Sequence, residues 1–417
     1  MGLIITIFSD KRDFTSRNAN NIVYMLHIIR NVFYGIYFAN YNNQKFFKFG
    51  KNNKTNMKPK RIEYIDVAKF LAMILVVFTH GVKESNFVAF AFAFHLPVFF
   101  VLNGMTLKIE GQKFGDFLVK KLQRYIVPMF GLGIICVLFD LFVKWLLNNP
   151  IPDHFIIIGM ANVINQVRLF AIWFLPALFF TDIILFGFHR MAKGRLWLMG
   201  ILSLLLLGIG ILFNQFHNVA LVWNFDAAFF GTLFTYLGFA FHHQKLSGFY
   251  NFVTKKRIRA LFIGIVLMTG TYFISQYHYE IEHRHLEMFS RYFMPYYMTL
   301  PNAVIGSLGF ILICRGITNP VFAKPVEMNL ALLAFHQILA FPLFRFKLCP
   351  EWWANVHQLP VSDPQYMLFN SAMTLFSVAL IAIIYFIIKY SPISVIVNQP
   401  LAGIYRRETN DERVNSD

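Results

Sequence analysis

The sequence predicts an all-α fold: a polytopic integral membrane helical bundle with about ten transmembrane helices. Three observations carry this reading. Hydrophobic residues make up 57% of the 417-residue chain against 14% charged, and the mean hydropathy is +0.52. The apolar runs are long and unbroken, whereas barrel strands alternate apolar and polar residues over about ten positions. Only helices and closed barrels satisfy their backbone within lipid, so the runs read as helices. Finally, Lys and Arg concentrate in alternate loops, the pattern that sets the orientation of membrane proteins. The net charge of +17 is therefore read as topology, and no nucleic-acid partner is expected.

Residues 1–60 read as a poorly defined extension. MGLIITIF is too short for a signal-peptide core and no small-residue cleavage site follows it. IVYMLHIIRNVFYGIYFANY is interrupted by His27, Arg30 and Asn31, and GKNNKTNMKPKR is polar and basic. Met57 stands just before the first convincing span. The segment is thus either a leader ahead of the native start or a cytoplasmic extension on the membrane surface. The membrane domain occupies 61–390 and a cytoplasmic tail 391–417.

Within the domain, apolar runs place spans at 64–80, 87–105, 125–147, 170–188, 196–213, 219–241, 260–277, 301–313, 329–346 and 367–389. Residues 154–168 are less apolar and read as interfacial or re-entrant. Trp223, Asn224 and Asp226 fall in the opening turns of the sixth span. HYEIEHRHLEMFSRYFMPYY is polar and reads as a solvated outer loop; its histidines, His278, His283 and His285, lack a strong metal-ligand spacing. Cys136, Cys314 and Cys349 show no paired spacing, so neither a disulfide framework nor a metal site is predicted. With this orientation both main ends are cytoplasmic. No Walker-type phosphate loop is present in the chain.

Arg61–Gly104 is the stretch richest in polar groups at membrane depth: Asp66, Lys69, His80, His95 and Asn103. An ionisable group there costs at least a few kcal/mol unless paired or wetted, which makes each a functional candidate. Lys69 and His80 are eleven residues apart, close to one helix face at about 100° per residue and roughly 16 Å apart along the axis. Asp66 and Lys69 are one turn apart and suit a pair. A neutral imidazole at position 80 suits a general base; the alternative is a helix-end histidine at the interface. His95 is either a catalytic group or a core histidine satisfying a carbonyl freed by Pro97. Asn103-Gly104 reads as a close-packing or helix-ending pair.

DVAKFLAMILVVFTH followed by FHLPVFFVLNG resembles the opening of the membrane acyltransferase-3 family, nearest to its fucose 4-O-acetylase-like sugar O-acetyltransferases. In that family a cation, ten residues and a histidine mark the first helix, here Lys69 and His80. A His-x-Pro-x-Phe-Phe run and a small-residue-Gly pair mark the second, here His95, Pro97, Phe99, Phe100, Asn103 and Gly104. KKLQRYIVP with Arg124, AIWFLPALF with Trp173, VWNFDAAFFGTLFTYLGF with Trp223 and Asp226, and MNLALLAFHQ with Asn329 and His336 resemble later family segments. The likeness runs from about Arg61 to Lys389. Departures are Lys69 for a common Arg, Phe70 for Gly, Thr79 before His80, Asn103 for Ser and Val222 for Pro.

The resemblance implies an O-acyltransferase that moves an acyl group, usually acetyl from acetyl-CoA, to a hydroxyl of a cell-surface glycan or its precursor. Acyl-CoA is then the donor substrate, with no bound cofactor and no metal; membrane lipids and a glycan or lipid-linked sugar are the other partners. The bacterial inner membrane is the expected location. His80 and His95 are the catalytic candidates, with His80 acting as base or first accepting the acyl group itself. Lys69 and Arg124 are the donor-side cations; Trp173, Trp223, Asp226 and His336 are substrate contacts, with Asp66 and Asn103 in support. The alternative is a transporter or flippase of a lipid-linked sugar, a class that usually shows internal repeats, and no convincing repeat is found here. A third class is a membrane interaction protein without chemistry, against which the Lys69–His80 stripe argues.

Overall fold

The computed structural model describes residues 62–166, 170–217, 220–242, 252 and 255–390. The extension at 1–60 and the tail at 391–417 lie outside the described residues. The principal helices among the described residues are α1 (Glu63–Gly81), α2 (Asn86–Phe92), α3 (Pro97–Thr106), α4 (Phe114–Lys121), α5 (Val127–Leu146), α6 (Phe155–Asn165), α7 (Phe174–Met191), α8 (Leu196–Phe216), α9 (Phe225–His242), α10 (Arg257–Glu282), α11 (Tyr296–Gly316), α12 (Asn329–Phe335), α13 (Pro350–Val356) and α14 (Pro364–Lys389). Among the described residues, nine helical stretches are long and apolar enough to cross a membrane. A further helix, α9, runs through the middle of the bundle, packed against α3, α7 and α8. The chain is an all-α, multi-pass membrane bundle.

The peripheral helices show why lipid selects this arrangement. On α8 the buried stripe is Met199, Ser203, Leu207 and Gly210, while Leu204, Leu205, Ile209 and Leu212 face outward. On α10 the buried stripe is Ala260, Gly264, Thr271, Ser275 and His278, with Phe262, Ile265, Val266 and Phe273 exposed. Small and polar residues point inward and large apolar ones outward, the reverse of a soluble helix. Where lipid gives no hydrophobic drive between helices, close backbone approach at small residues holds them together.

The closest approach is between α3 and α9. A Cβ placed on Gly104 would lie 1.9 Å from the Thr235 carbonyl oxygen, and one on Gly238 would lie 1.9 Å from the Val101 carbonyl oxygen. Only glycine fits at either position. The expected close-packing pair at Asn103-Gly104 is thus a helix crossing.

Several spans differ from the expected ones in ways that matter for function. The second is broken into α2 and α3, because Pro97 has no N–H to continue the ladder and starts a new helix, leaving His95 in the turn between them. The third begins with α4 and widens through a π-helical turn at Leu122–Ile126 that carries Arg124. The eighth is not short: α11 is 21 residues long and accommodates Pro301 near its start. The ninth is interrupted by a π-helical turn at His336–Ala340 directly after α12. Trp223 and Asn224 lie ahead of α9 with left-handed backbone, φ 59° and 52°, and only Asp226 is in its first turn. The supposed solvated outer loop is largely structured. His278 is buried on α10, and residues 287–292 form a tight hairpin closed by two Glu287–Tyr292 backbone bonds of 2.8 and 2.9 Å.

The α3–α9 crossing makes a direct prediction. Gly238→Ala lowers stability by about 3 kcal/mol or more, because backbone on both sides must separate. Gly187→Ala, whose Cβ meets nothing within 4 Å, changes it by no more than about 1 kcal/mol. Thermal unfolding of the two variants in detergent, measured against the parent, checks the contrast.

Candidate functional site

Two polar centres sit towards opposite ends of the bundle. The first gathers around the C-terminal turn of α1. Thr79 turns its hydroxyl back to the Leu75 and Val76 carbonyls, at 2.9 and 3.1 Å. The carbonyl left without a helical partner at the helix end is capped by Arg345, whose Nη2 donates to the Gly81 oxygen at 3.2 Å. The Tyr366 hydroxyl accepts from the Lys83 N–H at 2.8 Å, and Lys83 Nζ donates to the His357 carbonyl. These contacts fix the direction in which His80 leaves the helix.

The His80 side chain is solvent-accessible but recessed. Its ring lies 5.3 Å from that of His336, tilted by 35°, and 6.3 Å from Phe92 in an edge contact. Phe92 in turn touches His95 at 4.4 Å and His285 at 4.1 Å. Four histidine rings therefore share one neighbourhood built from α1, the α2–α3 break, the π-helical turn after α12 and the segment after α10.

His95 and His336 are fully buried and are pinned in the same way. His95 Nδ1 is 2.9 Å from the Ala91 carbonyl oxygen, and His336 Nδ1 is 2.7 Å from that of Leu332. A carbonyl oxygen only accepts, so the proton sits on Nδ1 and Nε2 carries the lone pair. In both rings Nε2 is buried with no hydrogen-bond partner. Each is an acceptor held ready for a donor. The carbonyl that His95 satisfies is thus Ala91, one helical turn back, rather than the Ala93 carbonyl that Pro97 leaves without its N–H. His285, the fourth ring, pairs with Glu84 at 2.8 Å, and outside the group His278 Nε2 is 2.7 Å from the Met294 carbonyl oxygen.

The second centre lies where α3, α4, α5 and α7 meet. Asp182 is buried in the middle of α7 and forms an ion pair with Lys121 at 2.6 Å, while Asn103 donates to its other oxygen at 2.6 Å. The Tyr125 hydroxyl donates to Asn103 at 3.0 Å. Arg124 sits beside this network with its guanidinium 5.5 Å from the Tyr125 ring centroid and its side chain exposed. The hydrogen bond from Asn103 adds to the ion pair and helps offset the cost of burying the two charges.

The other predicted residues are placed as follows. Lys69 and Asp66 are half-buried on α1, and the Lys69 carbonyl accepts from Asn329 Nδ2 at 2.8 Å, joining α1 to α12. The unbroken helix keeps Lys69 and His80 roughly 16 Å apart along its axis. Trp173 is buried against Phe174 and Phe289. Trp223 donates its Nε1–H to the Ile164 carbonyl at 2.9 Å. Asp226 is in a buried ion pair with Arg291 at 3.1 Å and accepts from the Leu221 N–H at 3.2 Å. A cavity of about 290 Å³, lined in part by Asp140, Lys144, Phe170, Gln337 and Ile338, adjoins the π-helical turn begun by His336. Among the described residues no group of three or more His, Cys, Asp or Glu side chains is arranged to hold a metal ion.

Sequence reasoning passed over Asp182, Lys121, Tyr125, Glu287 and Arg291. Asp182 carried a signal, a carboxylate inside the apolar run FLPALFFTDIILF. Lys121 and Arg291 read as ordinary loop cations, and nothing in the sequence marked Glu287.

In chemical terms the first centre offers an accessible imidazole beside two fixed acceptors, and the second a cation-rich cluster with one exposed guanidinium. The model of the acyltransferase-3 family, described as an acyltransferase domain, matches residues 62–388. No curated protein and no solved structure matches the chain.

Asp182→Ala is expected to cost about 3–5 kcal/mol, since it leaves Lys121 charged and unpaired in the interior. Replacing both partners, Lys121→Met with Asp182→Leu, recovers most of that loss. Denaturation midpoints of the single and double variants in detergent measure both effects.

Proposed function

The chain belongs to the acyltransferase-3 family, and from that premise we propose that it transfers an acyl group, acetyl foremost, from an acyl-CoA to a hydroxyl of a cell-surface glycan or its lipid-linked precursor. The protein is a membrane acyltransferase; donor, acceptor and residue roles are our reading. The observation that carries it is the accessible His80 ring set beside His336 and near His95, whose Nε2 atoms are buried acceptors without donors. A glycan brings several hydroxyls at once. One donates to His80 and is activated, and its neighbours supply the donors that His95 and His336 lack.

The reaction balances as follows. His80 takes the acceptor O–H proton, the oxygen attacks the thioester carbonyl, the new C–O bond forms and the C–S bond breaks. The imidazolium then returns the proton to the departing CoA sulfur. An acyl-CoA carries its phosphates at one end of a long arm and its thioester at the other. Lys69 and Arg124 suit the phosphates as cations at a distance from the imidazole. The donor is cytoplasmic, which supports a bacterial inner-membrane location with the Lys69 end and the main chain ends on the cytoplasmic side.

Membranes containing the protein, given labelled acetyl-CoA and glycan acceptor, test the assignment. His80→Ala should lower transfer by roughly 10²–10⁴-fold, the usual worth of a general base, with the protein still present at parental levels. Parental transfer by His80→Ala would sink the catalytic role. Absence of transfer by either protein, with unmodified glycan crossing the bilayer, would favour a flippase instead.

A further inference from the structure

The segment between α10 and α11 is anchored far more firmly than a solvated loop needs to be. Arg291 is 1% exposed and reaches back into the bundle to Asp226 on α9, with its own backbone left-handed at φ 61°. Phe293 stacks on Phe230 of α9 with centroids 4.4 Å apart and planes within 7°. Phe289 packs on Trp173 at 5.6 Å, and Leu286 and Met288 are buried. Tyr292 donates its hydroxyl to Glu282 at 2.9 Å, with burial and then Glu282 holding the phenol above its ordinary pKa, so it stays a donor. A left-handed non-glycine residue persists only where its surroundings over-determine it. The hairpin is therefore held in one place.

What it holds there is Glu287. The carboxylate accepts from the Ser290 hydroxyl at 2.5 Å, and the two backbone bonds to Tyr292 fix the residue on both sides. Two residues earlier, His285 packs on the Phe92 ring that also meets His80. Three acidic groups close to the hairpin are matched: Glu84 to His285, Asp226 to Arg291, and Glu282 to the Tyr292 hydroxyl, with Arg284 over the same ring at 4.3 Å. Glu287 has a neutral hydroxyl for its partner, and the hairpin that carries it borders the histidine centre through His285. The charged and titratable groups at the His80 end of α1 include His95, His336, His285 with Glu84, Lys83, Arg345 and, on the hairpin, Glu287.

We infer that Glu287 is a positioning residue for the transfer step: the hairpin sets its carboxylate at the mouth of the site, where it stabilises the imidazolium formed when His80 takes the acceptor proton. The inference rests on His80 acting as base. No atom passes to Glu287; the proton goes from hydroxyl to imidazole and on to sulfur, and the carboxylate lowers the energy of the charged intermediate by Coulomb attraction. The role of Asp226 follows: through Arg291 it holds the hairpin that presents Glu287.

The test is steady-state acyl transfer by the full-length protein with labelled acetyl-CoA and the glycan acceptor. Glu287→Gln keeps the shape and the bond from Ser290 but removes the charge. It should lower kcat by roughly 10- to 100-fold with both KM values little changed, and Glu287→Asp should recover part of the loss. In the His80→Ala background the same substitution should cost nothing further, since the group it stabilises is gone. Parental kcat in a folded Glu287→Gln protein, or a loss confined to KM, overturns the inference while leaving His80 as base. Full transfer by His80→Ala overturns the base assignment itself. If Glu287→Gln does not fold, Ser290→Ala serves: the charge stays but its tether is lost, so kcat falls at unchanged KM, and an unaltered kcat counts against the proposal.

Discussion

Backbone contact between α3 and α9 is the constraint on which both polar centres depend. At Gly104 and Gly238 each helix leaves no room for a single methyl group on the other. Asn103, which shares the Asp182 carboxylate with Lys121, is the residue next to one of these glycines. The His95 break lies at the opposite end of the same short helix, and Asp226 and Phe230, which hold the 287–292 hairpin, lie on the other partner. A shift at the crossing would move all of these together. One steric limit therefore sets the spacing between a site at one end of the bundle and a network at the other.

Polar groups inside a membrane have to find partners within the protein, and the two centres solve that problem differently. The inner network closes on itself, with carboxylate, ammonium, amide and phenol all engaged. The histidine centre is left half complete. One nitrogen of each buried ring is tied to its own helix and the other faces no donor.

Much of the fold was legible because lipid imposes a simple code. Long apolar runs marked the helices, and the Lys69 and His80 spacing was visible on a single continuous one. Breaks were harder. Pro97 showed why α2 and α3 separate, but the π-helical turns at Arg124 and His336 follow from packing against other helices and leave no local signature. Partnerships across the chain were invisible for the same reason. Asp182 is 79 residues from Asn103, and Arg291 is 65 residues from Asp226, so only the folded register joins them. The family resemblance marked Asp226 as a substrate contact, and the folded register adds its ion pair with Arg291. Glu287 was hidden because a hairpin inside an apparently polar loop has no hydrophobic period to betray it.

The tethering of His95 and His336 has a consequence for the membrane itself. A ring whose Nδ1–H is fastened to a helix carbonyl cannot turn over, and it cannot accept a proton at one nitrogen while releasing another at the far side without breaking that bond. Each ring is a dead end, open to traffic at Nε2 alone. Rows of histidines inside a bilayer are the usual ingredients of a proton wire; fastened in this way, these two rings are open to proton exchange on one side only and do not relay a proton from one compartment to the other.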